Sequence, residues 1–233
     1  LNKIAFKNAL RVFFMNKDNK EFYIEKGIVS RNTKIELVNG SGVNTNVFLY
    51  TPLPDATDRF LMVARLIKDK GVIEYIEAAR ILKQKNENVE FQLIGSYEDE
   101  DMKNLVDKAN KEKIIQFLGR QADVKSFYQK CTCVVLPSYG EGCGSVLQEG
   151  AASGRPLITC DTFGCRDNVV DGVNGFLCKV ADKESLASVM GKYINLSKEE
   201  KRLMSESSRK MAEEIFSRDR IIEKYINVIN DLC

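Results

Sequence analysis

A chain of 233 residues, 44% hydrophobic and 29% charged, has the balance of an ordinary globular protein and is long enough to bury a core without disulfides or metals. Lys and Arg number 35 against 33 Asp and Glu, and a net charge of +2 argues against the clustered cationic surface of a nucleic-acid-binding domain. No apolar run approaches the ~18 residues of a membrane span.

In chain order, Lys3, Lys7 and Arg11 come first, at i,i+4 spacing. They read as the solvated face of one helix, or alternatively as a presequence or membrane-surface helix. A strand follows at Val12–Met15, then a second helix, then a strand at Ile35–Val38. Tyr50-Thr51-Pro52-Leu53-Pro54-Asp55 reads as a linker, because it holds two of the four prolines. Phe60–Ala64, Val89–Ile94, Ile114–Leu118, Thr132–Leu136 and Pro156–Cys160 are short, nearly continuous apolar runs, as expected of strands buried on both faces of a parallel sheet. Helical spacing separates them: Val72, Ile76, Ala79 and Leu82 share one face, as do Met102, Leu105, Val106 and Ala109. Repeated βαβ units of this kind predict an α/β fold with a doubly wound parallel sheet. Near the end, Ser197 and Glu200 form a capping box. Ser217 is placed to cap a last helix with the apolar stripe Ile221, Ile222, Tyr225, Ile226 and Ile229.

The seven cysteines (Cys131, Cys133, Cys143, Cys160, Cys165, Cys178 and Cys233) form no C-x-x-C pair, and there is no histidine. A zinc site would have to be assembled from scattered thiolates. Reduced thiols, several of them on core strands, are the simpler reading.

Ligands of an open α/β sheet bind beyond the carboxyl ends of its strands. Four segments fall there. In the first, Arg65 and Lys70 bracket a loop that ends at Gly71, and a guanidinium and an ammonium beside a helix N-terminus suit a diphosphate. The second runs from Gly140 to Glu149 with glycines at 140, 142 and 144. A helix opening near Gly144 offers free amides to an anion. Glu149 then lies roughly 7–8 Å along the helix axis from Gly144, with Glu141 on the other side of the amides. Carboxylates accept hydrogen bonds, so both suit sugar hydroxyls. Leu93-Ile94-Gly95-Ser96 and Phe117-Leu118-Gly119-Arg120-Gln121 are strand ends that could wall a base. Taken singly, basic loop residues and a helical Glu are ordinary solvated groups; their combination carries the reading.

Together these segments resemble the retaining nucleotide-sugar glycosyltransferases of the GT-B fold that carry an E-x7-E motif (family four, or group one). The likeness extends over Val38–Asn44, Ala64-Arg65-Leu66 with Lys70-Gly71, Phe117–Gly119, and Leu136–Ser138 with Glu141 to Glu149. It continues through Ala151–Pro156, Phe163–Asp167 and Asp171–Leu177. The Gly-Ser-Gly-Val-Asn and Gly-Cys-Arg stretches resemble the branch that builds capsule, O-antigen and lipid-linked glycans.

The resemblance implies a Rossmann-like C-terminal domain of a GT-B fold plus a remnant of the N-terminal domain. Residues 1–50 would be terminal elements of the acceptor domain and 51–216 the nucleotide-sugar-binding domain. Residues 217–233 would be a helix packing back toward the N-terminal domain. It further implies transfer of a hexose or N-acetylhexosamine from a nucleoside diphosphate sugar, expected to be a UDP-sugar, to a growing cell-envelope glycan. Arg65 and Lys70 would neutralise the diphosphate leaving group, Glu141 would hold donor-sugar hydroxyls and Glu149 the ribose. Gly142, Cys143, Gly144 and Ser145 would meet sugar and phosphate, and Gly95, Arg120 and Gln121 the nucleotide. No cofactor and no metal are expected.

Family members are typically longer, so this chain is expected to bind donor yet transfer little sugar alone. A cytoplasmic location is implied, with peripheral contact at the inner face of the cell membrane for the full-length protein. Cys143 departs from the family, which more often has a larger apolar residue there. A GT-B epimerase or phosphorylase, or a donor-binding subunit with a separate acceptor-domain partner, remain alternatives. A nicotinamide or flavin module is disfavoured because Ala64-Arg65-Leu66-Ile67-Lys68 is not G-x-G-x-x-G.

Overall fold

The computed structural model describes residue 6 and residues 9–30, 32–85 and 88–231. Two parallel strands, β1 (Arg11–Phe14) and β2 (Lys34–Leu37), form a small sheet of their own, joined through helix α1 (Lys17–Glu25). Arg11 therefore lies on a strand rather than on a helix with Lys3 and Lys7, which lie outside the described residues, as does Cys233. In-register pairing of Arg11 with Lys34 sets β1 beside β2, and the Arg11 guanidinium reaches Glu36 and Asp231, each at 3.2 Å.

After the extended segment around Pro52 and Pro54, the chain builds a six-stranded, all-parallel sheet. Its strands are β3 (Arg59–Val63), β4 (Glu90–Ile94), β5 (Gln116–Phe117), β6 (Cys133–Leu136), β7 (Leu157–Cys160) and β8 (Gly175–Cys178). The connecting helices are α2 (Val72–Lys83), α3 (Glu100–Lys111), α4 (Lys125–Lys130) and α5 (Ser145–Ala152). Spatial order is β5-β4-β3-β6-β7-β8, so winding proceeds outward from β3 in one direction and then reverses at β6. This is the doubly wound arrangement expected from the alternation of elements. Helices α6 (Lys183–Ile194), α7 (Lys198–Met211) and α8 (Arg218–Asn230) complete the chain.

Burial on both faces explains the continuous apolar runs. Phe60, Met62, Cys133, Val135 and Ile158 point into one core with α2, α3 and α6, whereas Leu61, Val134, Leu136 and Leu157 point into the other with α4 and α5. The helical stripe of Val72, Ile76, Ala79 and Leu82 is wholly buried.

Four details differ from the sequence reading. β5 is two residues long, not five, because α3 ends in a Schellman motif: Lys113 adopts φ +58°, and the amides of Lys113 and Ile114 bond back to Asn110 and Ala109. β8 was not anticipated as a strand. It starts at Gly175, where a Cβ would sit 1.9 Å from the Leu157 carbonyl oxygen. Ser217 occupies the N-cap position of α8 without a side-chain cap bond. Its backbone instead bridges Val43, with the Val43 amide on the Phe216 carbonyl at 2.7 Å and the Arg218 amide on the Val43 carbonyl at 3.0 Å. The stripe of α8 is buried only at Ile221, with Val228 beside it. Ile222, Tyr225, Ile226 and Ile229 stay exposed because α8 meets β1 and β2 along one edge, through Tyr225 on Phe13 and Lys224 on the Leu37 carbonyl. The Ser197–Glu200 capping box forms as expected.

The largest fully buried side chain is not apolar but Arg155. Its guanidinium donates to the carbonyls of Ser153 and Cys131 and to both oxygens of Thr51, so it fastens the Pro-rich linker to the start of β6 and β7. Removal of this fork would leave several buried carbonyls unpaired, each costing about 1–3 kcal/mol. Arg155→Met is expected to lower unfolding free energy by at least that amount, measured by urea denaturation.

Candidate functional site

The reversal of strand order places the carboxyl ends of β3 and β6 side by side with their loops diverging, which is where open α/β sheets bind ligands. From β3 the chain runs through Ala64 and Arg65, and the Leu66 amide bonds the Ser96 carbonyl at 2.9 Å. A 3-10 turn, Lys68–Lys70, then leads to Gly71. Gly71 has φ +73°, and a Cβ on it would sit 2.1 Å from the Pro137 carbonyl oxygen, so only glycine lets the loop lie against β6. The Ser138 hydroxyl and the Tyr139 amide both donate to the Asp69 carbonyl, at 3.1 and 2.9 Å. The Tyr139 hydroxyl donates to Glu74 at 2.7 Å, and burial together with that carboxylate pushes the phenol up to about 12. The two loops are thus bonded across the crevice.

Beyond Tyr139, the Glu141 amide bonds the Phe163 carbonyl at 3.1 Å, and Gly164 packs so closely that a Cβ would reach within 1.9 Å of the Glu141 carbonyl oxygen. Gly144, at φ 67°, is the N-cap of α5 and presents the mouth of that helix to the crevice. The result is a cavity of about 260 Å³ that brings together Arg65, Lys70, Glu141, Gly142, Cys143, Gly144 and Ser145. Lys70 Nζ lies 2.6 Å from Glu141 Oε1, with both side chains largely shielded at 19% and 15% exposure. Arg65 is 63% exposed at the rim and pairs with Glu98 at 2.9 Å. Cationic groups, helix amides and a carboxylate converge on one wall-to-wall space, which is chemically suited to an anion carrying hydroxyls. Among the described residues, no group of three or more His, Cys, Asp or Glu is placed to hold a metal.

The remaining expected residues do not line this cavity. Gly95 lies next to it: its amide bonds the Gly119 carbonyl at 3.0 Å, and a Cβ would sit 2.0 Å from the Ala64 carbonyl oxygen. Arg120 is exposed, and Gln121 Nε2 folds back onto the Leu118 carbonyl at 2.5 Å. Glu149 lies on α5 with Oε2 accepting from the buried Tyr128 hydroxyl at 2.8 Å. Burial raises the Glu149 pKa, and the Tyr128 hydrogen bond offsets part of that.

Cys143 is half-buried, with Sγ 3.6 Å from the Ser145 hydroxyl and packed on Gly40, where a Cβ would sit 2.4 Å from the sulfur. The other described cysteines are buried free thiols. Three residues that the motifs did not single out also reach this loop. Asn16, Gln148 and Asn168 are each at most 2% exposed, and each donates to a carbonyl of Gly142 or Cys143. Their only local signals are an Asn directly after a strand for Asn16 and a polar residue inside the apolar face of α5 for Gln148.

Residues 50–211 match the profile of the family described as glycosyl transferases group 1. The chain is 26% identical, over 98% of its length, to the N,N'-diacetylbacillosaminyl-diphospho-undecaprenol alpha-1,3-N-acetylgalactosaminyltransferase of Campylobacter jejuni, covering 62% of that protein. It is 32% identical to the capsular polysaccharide biosynthesis glycosyltransferase CapM of Staphylococcus aureus over 74% of this chain and 46% of CapM. The chain thus spans roughly half to two thirds of the length of these relatives. The crystal structure of Anabaena HepE in complex with UDP and glucose superposes with a TM-score of 0.84 at 20% identity, over 98% of this chain and 65% of that one. A glycosyltransferase from Rickettsia africae gives 0.85 at 18% identity, over 99% and 66%. The fold is that of these GT-B neighbours, and the chain belongs to the group 1 glycosyl transferase family.

Proposed function

We propose that the chain is the donor-binding part of a retaining glycosyltransferase. It would move a hexose or N-acetylhexosamine from a nucleoside diphosphate sugar, a UDP-sugar, to a growing cell-envelope glycan. The observation that carries this reading is the cavity at the strand reversal, where Arg65, Lys70, Glu141 and the mouth of α5 meet. Support for the substrate class comes from the relatives, one named for a diphospho-undecaprenol-linked acceptor and one for capsular polysaccharide, and from the UDP and glucose held by HepE. Residues 1–50 are read as acceptor-side elements, 51–216 as the donor domain, and 217–233 as a helix returning to the acceptor side.

In this reading Lys70 and Arg65 hold the diphosphate and stabilise it as it leaves. Glu141, already fixed by Lys70 at the inner wall, accepts from hydroxyls of the donor sugar. Glu149 keeps Oε1 for the ribose while Tyr128 holds Oε2. The ring bearing the base would run toward Gly95, Arg120 and Gln121. Retention follows the family scheme: the acceptor oxygen attacks on the face from which the phosphate departs, and the phosphate takes the acceptor proton. Among the described residues no helix is long and apolar enough to cross a membrane.

A thermal-shift panel of UDP-, GDP- and ADP-sugars tests the substrate class, with UDP-sugars expected to stabilise the chain most. Arg65→Ala and Lys70→Ala should each weaken nucleoside diphosphate binding by about 1–3 kcal/mol in titration calorimetry. Unchanged affinity in both would remove the diphosphate from this cavity.

The glutamates should separate by ligand: Glu149→Ala weakens UDP and UDP-sugar alike, whereas Glu141→Ala spares UDP. Equal losses in both assays for both variants would refute these roles.

Glu149 also supplies a pH test. Its raised pKa means that protonation favours the folded state, a contribution fully present below the ordinary value of 4.5 and lost as pH rises through the folded pKa. Glu149→Gln should therefore be more stable than the parent at neutral pH, with the difference closing below 4.5, as read by urea unfolding across that range.

A further inference from the structure

Two successive carbonyls of the glycine loop are gripped from below by buried carboxamides. Asn16 Nδ2 donates to the Gly142 carbonyl at 3.0 Å, while its Oδ1 caps α1 by accepting from the Asn19 amide at 2.7 Å. Gln148 Nε2 donates to the Cys143 carbonyl and to the Asn39 carbonyl, both at 3.2 Å. Asn168 Nδ2 donates to the carbonyls of Gly164, Cys143 and Cys165 at 2.9, 3.1 and 3.2 Å. It lies directly beneath the helix mouth, since a Cβ on Gly144 would sit 3.0 Å from that nitrogen. The three side chains come from three different elements and are 2%, 2% and 1% exposed.

A trans peptide holds its C=O and N–H antiparallel in one plane. Gripping the Gly142 and Cys143 oxygens from the protein side therefore turns the amides of Cys143 and Gly144 toward the cavity these residues line. Among the described residues, no acceptor bonds either amide. Neutral carboxamides are suited to this task. They satisfy the carbonyls, which an apolar side chain would leave unpaired, and add no charge next to the Lys70–Glu141 pair.

We propose that Asn16, Gln148 and Asn168 are positioning residues that jointly aim the Cys143 and Gly144 amides at the donor phosphates. The inference rests on the donor-site reading above. It also makes the residues around Asn16 and Asn39, remote in sequence from the glycine loop, part of what builds the phosphate site.

The test uses the full chain with Asn16→Ser, which keeps a neutral N-cap oxygen and is too short to reach the Gly142 carbonyl, and Gln148→Leu, which keeps the volume and loses the donor. UDP, uridine and inorganic pyrophosphate are titrated while backbone amide resonances are followed by NMR. In the parent chain, UDP and pyrophosphate should shift the Cys143 and Gly144 amides. Each variant should bind UDP about tenfold more weakly and blunt those shifts, with uridine affinity unchanged. Loss of UDP and uridine in equal measure, or UDP affinity at the parent level, would overturn the proposal and leave these residues as loop supports only. Circular dichroism reports folding; if Gln148→Leu does not fold, Asn16→Ser decides alone, and if neither folds, the parent shifts at Cys143 and Gly144 decide. A parent chain that binds UDP without moving those two amides sinks the positioning role alone. A parent chain that binds neither UDP nor pyrophosphate sinks the donor-site reading with it.

Discussion

The site depends on one topological constraint, the reversal of winding between β3 and β6. A parallel sheet must be covered by helices on both faces, so its crossovers go to one side until the chain returns to the centre and builds outward the other way. At the return, no crossover covers the carboxyl ends of the two central strands. The crevice is the space left there, and every charged residue in it is carried by the loop following β3 or the loop following β6.

Such a crevice is useful only if the loops hold their shape, and here the backbone provides that. Gly71 lies on Pro137, Gly95 on Ala64 and Gly164 on Glu141 at distances no Cβ would allow. The Asp69 carbonyl receives two bonds from the opposite loop. Close approach of this kind converts mobile loops into a wall, which lets Lys70 and Glu141 form a shielded ion pair and keeps both at the cavity. Burial has a different effect on Glu149, whose carboxylate is disfavoured by desolvation and supported by the Tyr128 hydroxyl.

Electrostatics within the crevice are graded. Arg65 is at the solvent-exposed rim, where its charge is screened and its side chain is free to rearrange on a ligand. Lys70 is shielded, and its charge acts through a less polar medium. Beneath them the loop carbonyls are satisfied by neutral amides alone. Both cationic side chains and the positive end of the α5 dipole therefore lie on the cavity side of the loop.

The amino-acid sequence by itself determined the alternation of strands and helices, the buried stripes of α2 and α3, the capping box, and the set of residues that reach the cavity from the β3 and β6 loops. Those features follow from periodicity and spacing along a few turns of chain, and a local pattern is sufficient to read them. Where they failed, one cause was local and one was not: a Schellman motif shortened β5, whereas a backbone bridge to distant Val43 replaced the Ser217 cap. Only the tertiary structure decided which distant groups meet. Lys70 and Glu141 are 71 residues apart, Asn16 and Gly142 are 126 apart, and Arg155 reaches back 104 residues to Thr51. No periodic signal encodes such pairings, because they depend on how the sheet stacks its strands and on which loops that stacking presses together. A buried polar side chain in particular looks like any surface residue until its carbonyl partners are in place.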